Sequence, residues 1–310
     1  MKRILCAALC FCLLYGLMIP VSAYETTGDN NLNFTDGSEI VASKNVKTGE
    51  ITYSQFSSDS KSISRSRAPM GEIAEGWFPI DADLVSSVED NNQRTIIGGD
   101  NRTKVTNTKT LPYSAICYIE IDWPDGSTTT GTAWMIYKNI AVTAGHCVYS
   151  TGHGGWATNI KLWPGKNGYG LWNNPYGTTE ASNMHTSTNW TSSSNMDFDW
   201  AVLELEDNIG DKTGWFGFGW SANNQTGTSV TISGYPGEYR YYQYKMSGQI
   251  SSCTTNKLYY TIDTTDGQSG APIYTSDNIA YGIHCHEDAT QNSRARITEW
   301  LFNYLSSFRN

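Results

Sequence analysis

The chain has little of several things that would place it quickly. Only 16% of its 310 residues are charged, and only seven are cysteine. Cys6, Cys10 and Cys12 fall in the first dozen residues, leaving Cys117, Cys147, Cys253 and Cys285 for the remainder. Those four allow at most two disulfides, in three connectivities. After the N-terminus no apolar run is long enough to span a bilayer, which argues against an integral membrane protein. Basic residues form no stripe. Residues 95–310 hold 18 acidic against 13 basic side chains, a net charge of −5 that disfavours nucleic acid as a partner.

The sequence MKRILCAALCFCLLYGLMIPVSA begins with two basic residues, continues through an apolar core and ends on small residues. This pattern predicts a secretory signal peptide over 1–23, hence a secreted, extracellular chain with no membrane association once the signal is removed. Residues 24–94 are polar and acidic, with SSDSKSISRSR in their middle and little sustained periodicity. Ahead of a compact exported domain they read as a pro-segment. From Thr95 the texture changes to short β-rich runs, and Arg94–Thr95 suits a trypsin-like processing protease. The domain is therefore expected at 95–310, as a monomer, and closeness in sequence suggests the bridges Cys117–Cys147 and Cys253–Cys285.

Within that domain, residues 116–121 alternate, Pro124-Asp125-Gly126 marks a turn, and Ala133–Tyr137 and Ile140–Thr143 flank a tight connection at Lys138-Asn139. Further strands are expected in WAVLELE (200–206), SVTISGY (229–235), KLYYTID (257–263), APIYT (271–275) and NIAYGIHC (278–285). The aromatic tract WPGKNGYGLWNNPYG (163–177) offers a sugar-binding surface or, more simply, loop packing against a barrel. Ile297, Trp300, Leu301, Tyr304, Leu305 and Phe308 recur three and four apart, on one face of a closing amphipathic helix. The fold class is mainly β, an antiparallel barrel architecture with a C-terminal helix.

Three segments carry the parts of an acyl-transfer site: a base, a group that orients it and a nucleophile. His146 follows a buried-looking strand in TAGHC (143–147). Asp199 opens the apolar run DWAVLEL, with Asp197 as an alternative orienter. Ser269 sits among small residues in DGQSGAP (266–272), where a tight turn aims the N–H groups of Gly267 and Ser269 at one point, an oxyanion hole. Singly each has a bland explanation, as a satisfied histidine, a turn aspartate and a loop serine. The order His, Asp, Ser suits two consecutive barrels with a site between them.

These blocks resemble those of the chymotrypsin-fold serine proteases. Together with IIGGDNRTKVTNTKTLPYSAI (96–116), SGYPGE (233–238) and GIH (282–284), they are similar to the bacterial glutamyl endopeptidases. The resemblance spans nearly all of 95–285. It implies two antiparallel six-stranded barrels, His146 as general base, Asp199 as its orienter and Ser269 as nucleophile on polypeptide substrates, with no cofactor. In animal digestive proteases the α-amino group freed by processing pairs with an aspartate just before the nucleophile. Here that neighbour is Gln268, which is unable to act as such a partner.

The same resemblance assigns recognition of a substrate Glu, less often Asp, to His284 and Thr264. An imidazolium and a hydroxyl both suit a carboxylate. Against this stands Asp263, where trypsin-like enzymes place the acid that attracts Arg or Lys; Asp266, Glu287 and Asp288 add further negative charge. An unneutralised acid ~4 Å from a substrate carboxylate costs about 4 kcal/mol at an effective dielectric near 20, enough to invert specificity. Two alternatives follow: an endopeptidase cutting after Arg or Lys, and a protease-fold binding protein or toxin with little activity. His284-Cys285-His286 also suggests a metal site, but alternate strand residues face opposite sides, leaving two ligands where zinc takes four.

Overall fold

The computed structural model describes residues 38–57, 71–77, 100–286 and 292–309. The expected signal peptide at 1–23 and the junction at Arg94–Thr95 lie outside the described residues. The polar N-terminal region nevertheless contributes three strands among the described residues. β1 (Ser38–Asn45) and β2 (Ile51–Ser57) form an antiparallel hairpin, and β3 (Gly71–Ala74) stands apart from them. After the short β4 (Thr103–Lys104) come β5 (Ile116–Asp122), β6 (Thr128–Tyr137) and β7 (Ile140–Thr143). A two-strand ribbon, β8 (Tyr149–Ser150) with β9 (Gly155–Trp156), precedes β10 (Asn159–Pro164), β11 (Thr179–Ser187) and β12 (Ala201–Leu205).

The first barrel runs β10-β5-β6-β7-β12-β11 and closes where Lys161 and Leu162 of β10 pair with Glu180 and Thr179 of β11. Closure removes the sheet edges within the ring. The far half of β11, Asn183 to Ser187, pairs instead with β1, so the hairpin extends this sheet outward. Val41 and Ala42 of β1 are fully buried there. Tyr118 on β5 is also buried, because its ring packs edge-on against Tyr235 and Tyr241.

The second barrel follows β13 (Gly217–Ser221) and uses β14 (Ser229–Gly234), β15 (Tyr244–Cys253), β16 (Lys257–Tyr260), β17 (Pro272–Tyr274), β18 (Ile279–His286) and β19 (Asn292–Arg296). Its order is β17-β14-β15-β16-β19-β18, closed by β17 on β18. β13 lies parallel to β18 outside the ring, β3 pairs with β13, and β4 pairs with β15. Two six-stranded antiparallel barrels are thus present, as the family resemblance implies.

The helices α1 (Thr188–Ser193) and α2 (Gly210–Thr213) are short, and α3 (Glu299–Ser307) closes the chain. Thr298 caps α3 by accepting the Leu301 N–H at 3.2 Å, and Leu301, Phe302, Tyr304 and Leu305 are buried, matching the face read from the sequence. The helix also holds the N-terminal strands. Trp300 Nε1 donates to Phe56 O at 3.0 Å, and Arg309 Nη1 donates to Glu75 O at 2.7 Å.

The aromatic tract divides. Trp163 and Tyr176 pack against the core, while Leu171 and Trp172 are 85% and 99% exposed. The expected disulfides are not formed: all four described cysteines are free. Their surroundings explain why. The Cys147 thiol faces Gly131, a position that brings no sulfur, and Cys117 is sealed in the first barrel, where burial pushes its thiol up. Cys285 Sγ donates to the Asp199 carbonyl at 2.8 Å, whereas Cys253 Sγ lies 3.1 Å from Asn224 Oδ1.

Candidate active site

β7 and β12 are antiparallel neighbours with Thr143 opposite Ala201. The chain leaving β7 and the chain entering β12 therefore meet at one end of the sheet. A 3-10 turn, Gly145–Cys147, follows β7, and another, Met196–Phe198, precedes β12. This register brings His146 and Asp199 together although 53 residues separate them. Asp199 Oδ2 lies 2.8 Å from His146 Nδ1, and Oδ1 accepts the His146 backbone N–H at 2.8 Å. The carboxylate is 2% exposed and the imidazole 30%. Gly145 keeps the turn close, since a Cβ there would lie 3.0 Å from both Asp199 Oδ1 and Trp190. Asp197, the alternative orienter, is engaged elsewhere, 3.0 Å from Lys257 Nζ.

The electrostatics follow from this geometry. Burial opposes the charged imidazolium, but Asp199 and the adjacent Cys147 outweigh it and hold His146 well above its ordinary pKa. A ring hydrogen-bonded through Nδ1 to a carboxylate keeps Nε2 for proton transfer.

Ser269 comes from the loop between β16 and β17 of the second barrel. Thr132 of β6, in the first barrel, fastens that loop. Its N–H donates to Ser269 O at 2.8 Å, and its hydroxyl donates to Gly267 O at 2.9 Å. With both carbonyls drawn toward Thr132, the N–H groups of Gly267 and Ser269 have no acceptor among the described residues. Two unengaged amides one residue apart are what an oxyanion site requires. The turn depends on glycine at two places: Gly267 and Gly270 have φ near +90°, and a Cβ on Gly270 would overlap the Thr132 carbonyl oxygen. Ser269 Oγ lies 3.5 Å from Cys285 O.

His284 and Thr264 are both buried beside this loop. The His284 carbonyl accepts the Gly270 N–H at 2.5 Å, and its Nδ1 lies 2.9 Å from the Tyr260 hydroxyl. Asp263 is half-buried, and its Oδ2 accepts the backbone N–H of Asn101 at 3.4 Å. Asp266 is exposed. Cys285 Sγ donates to backbone carbonyls of Asp199 and Ile283, and among the described residues no three His, Cys, Asp or Glu side chains cluster as metal ligands would.

Several contributors escape sequence reasoning. Thr132 lies in an unremarkable threonine run, and Tyr260 reads as an ordinary strand tyrosine. Arg102 has no motif, yet its guanidinium reaches Gln268 Oε1 at 2.8 Å. The one available signal is Gln268 itself, a polar residue beside Ser269 whose partner is missing from the linear pattern.

Comparison with known proteins places this arrangement in company. A family model described as Trypsin matches residues 96–301. The glutamyl endopeptidase of Bacillus licheniformis is 34% identical over 229 residues, covering 70% of each chain. A Bacillus subtilis protein named extracellular metalloprotease is 30% identical over 314 residues, 99% of this chain and 95% of its own length. A solved structure of a Glu endopeptidase in complex with MPD superimposes with a TM-score of 0.62 at 30% identity, covering 69% of this chain and 99% of that one.

Proposed function

From the premise that the chain belongs to the trypsin family of serine proteases and is a serine endopeptidase, we propose that it is secreted and cuts polypeptides after glutamate, less readily after aspartate. One observation carries the specificity. His284 and Thr264 are buried, the His284 carbonyl accepting the N–H of Gly270, the residue after Ser269, while the Asp263 carboxylate accepts the Asn101 amide at 3.4 Å. An imidazole and a hydroxyl then face the substrate side chain, and the competing acid is engaged by a donor of its own.

In this proposal Ser269 Oγ leaves the Cys285 carbonyl when substrate binds and attacks the scissile carbonyl carbon. Its proton passes to His146 Nε2, and Asp199 stabilises the resulting imidazolium. The amides of Gly267 and Ser269 hold the oxyanion. Collapse breaks the C–N bond, His146 protonates the departing amine, and an acyl-enzyme remains on Ser269. Water, deprotonated by His146, hydrolyses that ester and restores the serine. Residues 1–23 serve as the export signal and residues 24–94 as a pro-segment removed at Arg94.

The test compares hydrolysis of matched peptides bearing Glu, Asp, Arg or Phe before the scissile bond, with Ser269→Ala as control. Glu should be preferred, and Ser269→Ala should lower kcat by about 10⁶-fold. Preference for Arg would overturn the specificity, and undiminished activity of the alanine variant would overturn the nucleophile.

A further inference from the structure

We propose that Arg102 is the positioning residue of the nucleophile loop, fixing the peptide units on either side of Gln268 through its side-chain guanidinium. The proposal rests on Ser269 as nucleophile but not on the identity of the substrate side chain.

The Arg102 side chain is 4% exposed. All five of its N–H donors find acceptors. Nε and Nη2 grip the two Asp100 carboxylate oxygens at 2.9 and 3.0 Å, and Nη2 also reaches Glu238 Oε1. The remaining nitrogen, Nη1, donates to Thr265 Oγ1 at 2.6 Å and to Gln268 Oε1 at 2.8 Å. A guanidinium only donates, so the Gln268 amide must present its oxygen. That oxygen also accepts the Thr265 N–H at 3.1 Å, while the Gln268 N–H donates to Thr265 O at 3.1 Å. Thr265 and Gln268 thus close on each other, with Arg102 as the charged third member.

Gln268 is 1% exposed and lies between the two amides of the oxyanion site. Thr132 holds the carbonyls of Gly267 and Ser269 from one side, and Arg102 holds the intervening side chain from the other. The acids belong to the same clasp: the Thr265 hydroxyl, which accepts from Arg102, donates to Glu238 Oε2 at 2.7 Å, and Tyr239 donates to Asp100 at 2.8 Å. The neighbouring Asn101 N–H reaches Asp263, so the 100–102 segment secures pocket wall and nucleophile loop together. The clasp is present while the N-terminal hairpin is docked on the first barrel. Ordering of this loop therefore needs no freed α-amino group beside the nucleophile.

The test uses the processed enzyme and two readouts. Arg102→Met and Gln268→Ala are each expected to lower kcat on the best peptide by about 10²- to 10³-fold, the scale for losing one oxyanion donor, with KM within about threefold. The rate at which a fluorophosphonate probe labels Ser269 should fall by a similar factor, whichever residue the enzyme prefers before the scissile bond. The double variant should be no slower than the worse single variant, because both remove one link. Arg102→Lys should recover only part of the rate, since an ammonium lacks the fork. A folded Arg102→Met enzyme with kcat and labelling rate within threefold of the parent would overturn the proposal, as would additive losses in the double variant. If Arg102→Met does not fold, Gln268→Ala, which leaves the charge cluster intact, decides by the same thresholds. Normal labelling of the parent with preference for Arg peptides would reject the glutamyl specificity alone. No labelling of the parent would reject Ser269 as nucleophile, and this proposal with it.

Discussion

At the scale of single residues, the base proposed here, His146, is expected to set the pH dependence. A general base works only when neutral, and the Asp199 carboxylate favours the charged form of the ring. The acid limb of kcat/KM is therefore expected above the ordinary histidine pKa of about 6.5, with activity rising as pH rises through it. Asp199→Asn removes the charge while burial remains, so the limb should move to lower pH while kcat falls about 10⁴-fold. Steady-state rates between pH 5 and 10 check both points; a parent limb at or below 6.5 would contradict the charge coupling. His146, Asp199 and Ser269 were legible as candidates because their order along the chain and the blocks around them resemble those of the chymotrypsin-fold proteases, although each alone has a bland explanation. Arg102 and Thr132 were not, because their roles come from contacts 166 and 135 residues away along the chain. In the sequence Asp263 stands as a threat to glutamate binding, and only the fold, which brings the Asn101 amide 3.4 Å from its Oδ2, gives its carboxylate a direction.

At the scale of elements, the barrel strands with clear alternation and the terminal helix emerged from pattern, while β11 and the N-terminal hairpin did not. β11 reads TEASNMHTS, polar enough to pass for loop, yet it is held by neighbours on both sides. β1 has a further peculiarity. Glu39 on this strand is raised by burial to about 7, although a hydrogen bond with Ser187 opposes the shift, and its Oε1 has no partner among the described residues. Its folded pKa lies above the ordinary carboxylate value. Its contribution to docking is accordingly complete below about 4.5 and is lost as pH rises through about 7. Amide exchange along β1 should accelerate between pH 5 and 8 beyond the intrinsic chemical rate, and Glu39→Gln should abolish that excess. Equal pH dependence in the two proteins would count against the carboxyl as its source.

At the scale of the whole molecule, the described residues are held by burial rather than by disulfides. A continuous apolar core runs through the first barrel, across the contact of Trp134 with Phe216, and under α3. Full burial of each large apolar side chain contributes on the order of 1.5–3 kcal/mol, so a two-barrel domain does not depend on disulfides. Thiol titration of the denatured 95–310 domain should find four free thiols, and a reductant should leave both Tm and activity unchanged. A drop in Tm on reduction would mean that bridges form after all.

The sequence alone determined the reaction class and a mainly β architecture, because the blocks around His146, Asp199 and Ser269 are contiguous enough to carry a family resemblance and several barrel strands reveal themselves by local alternation. Tertiary structure decided what surrounds those blocks: the fate of the cysteines, the aim of Asp263, the seat of the N-terminal hairpin and the arginine behind the nucleophile loop. The physical reason is common to all four. A side chain's partner is set by which distant segments the closed barrels press together, and no local periodicity records that choice.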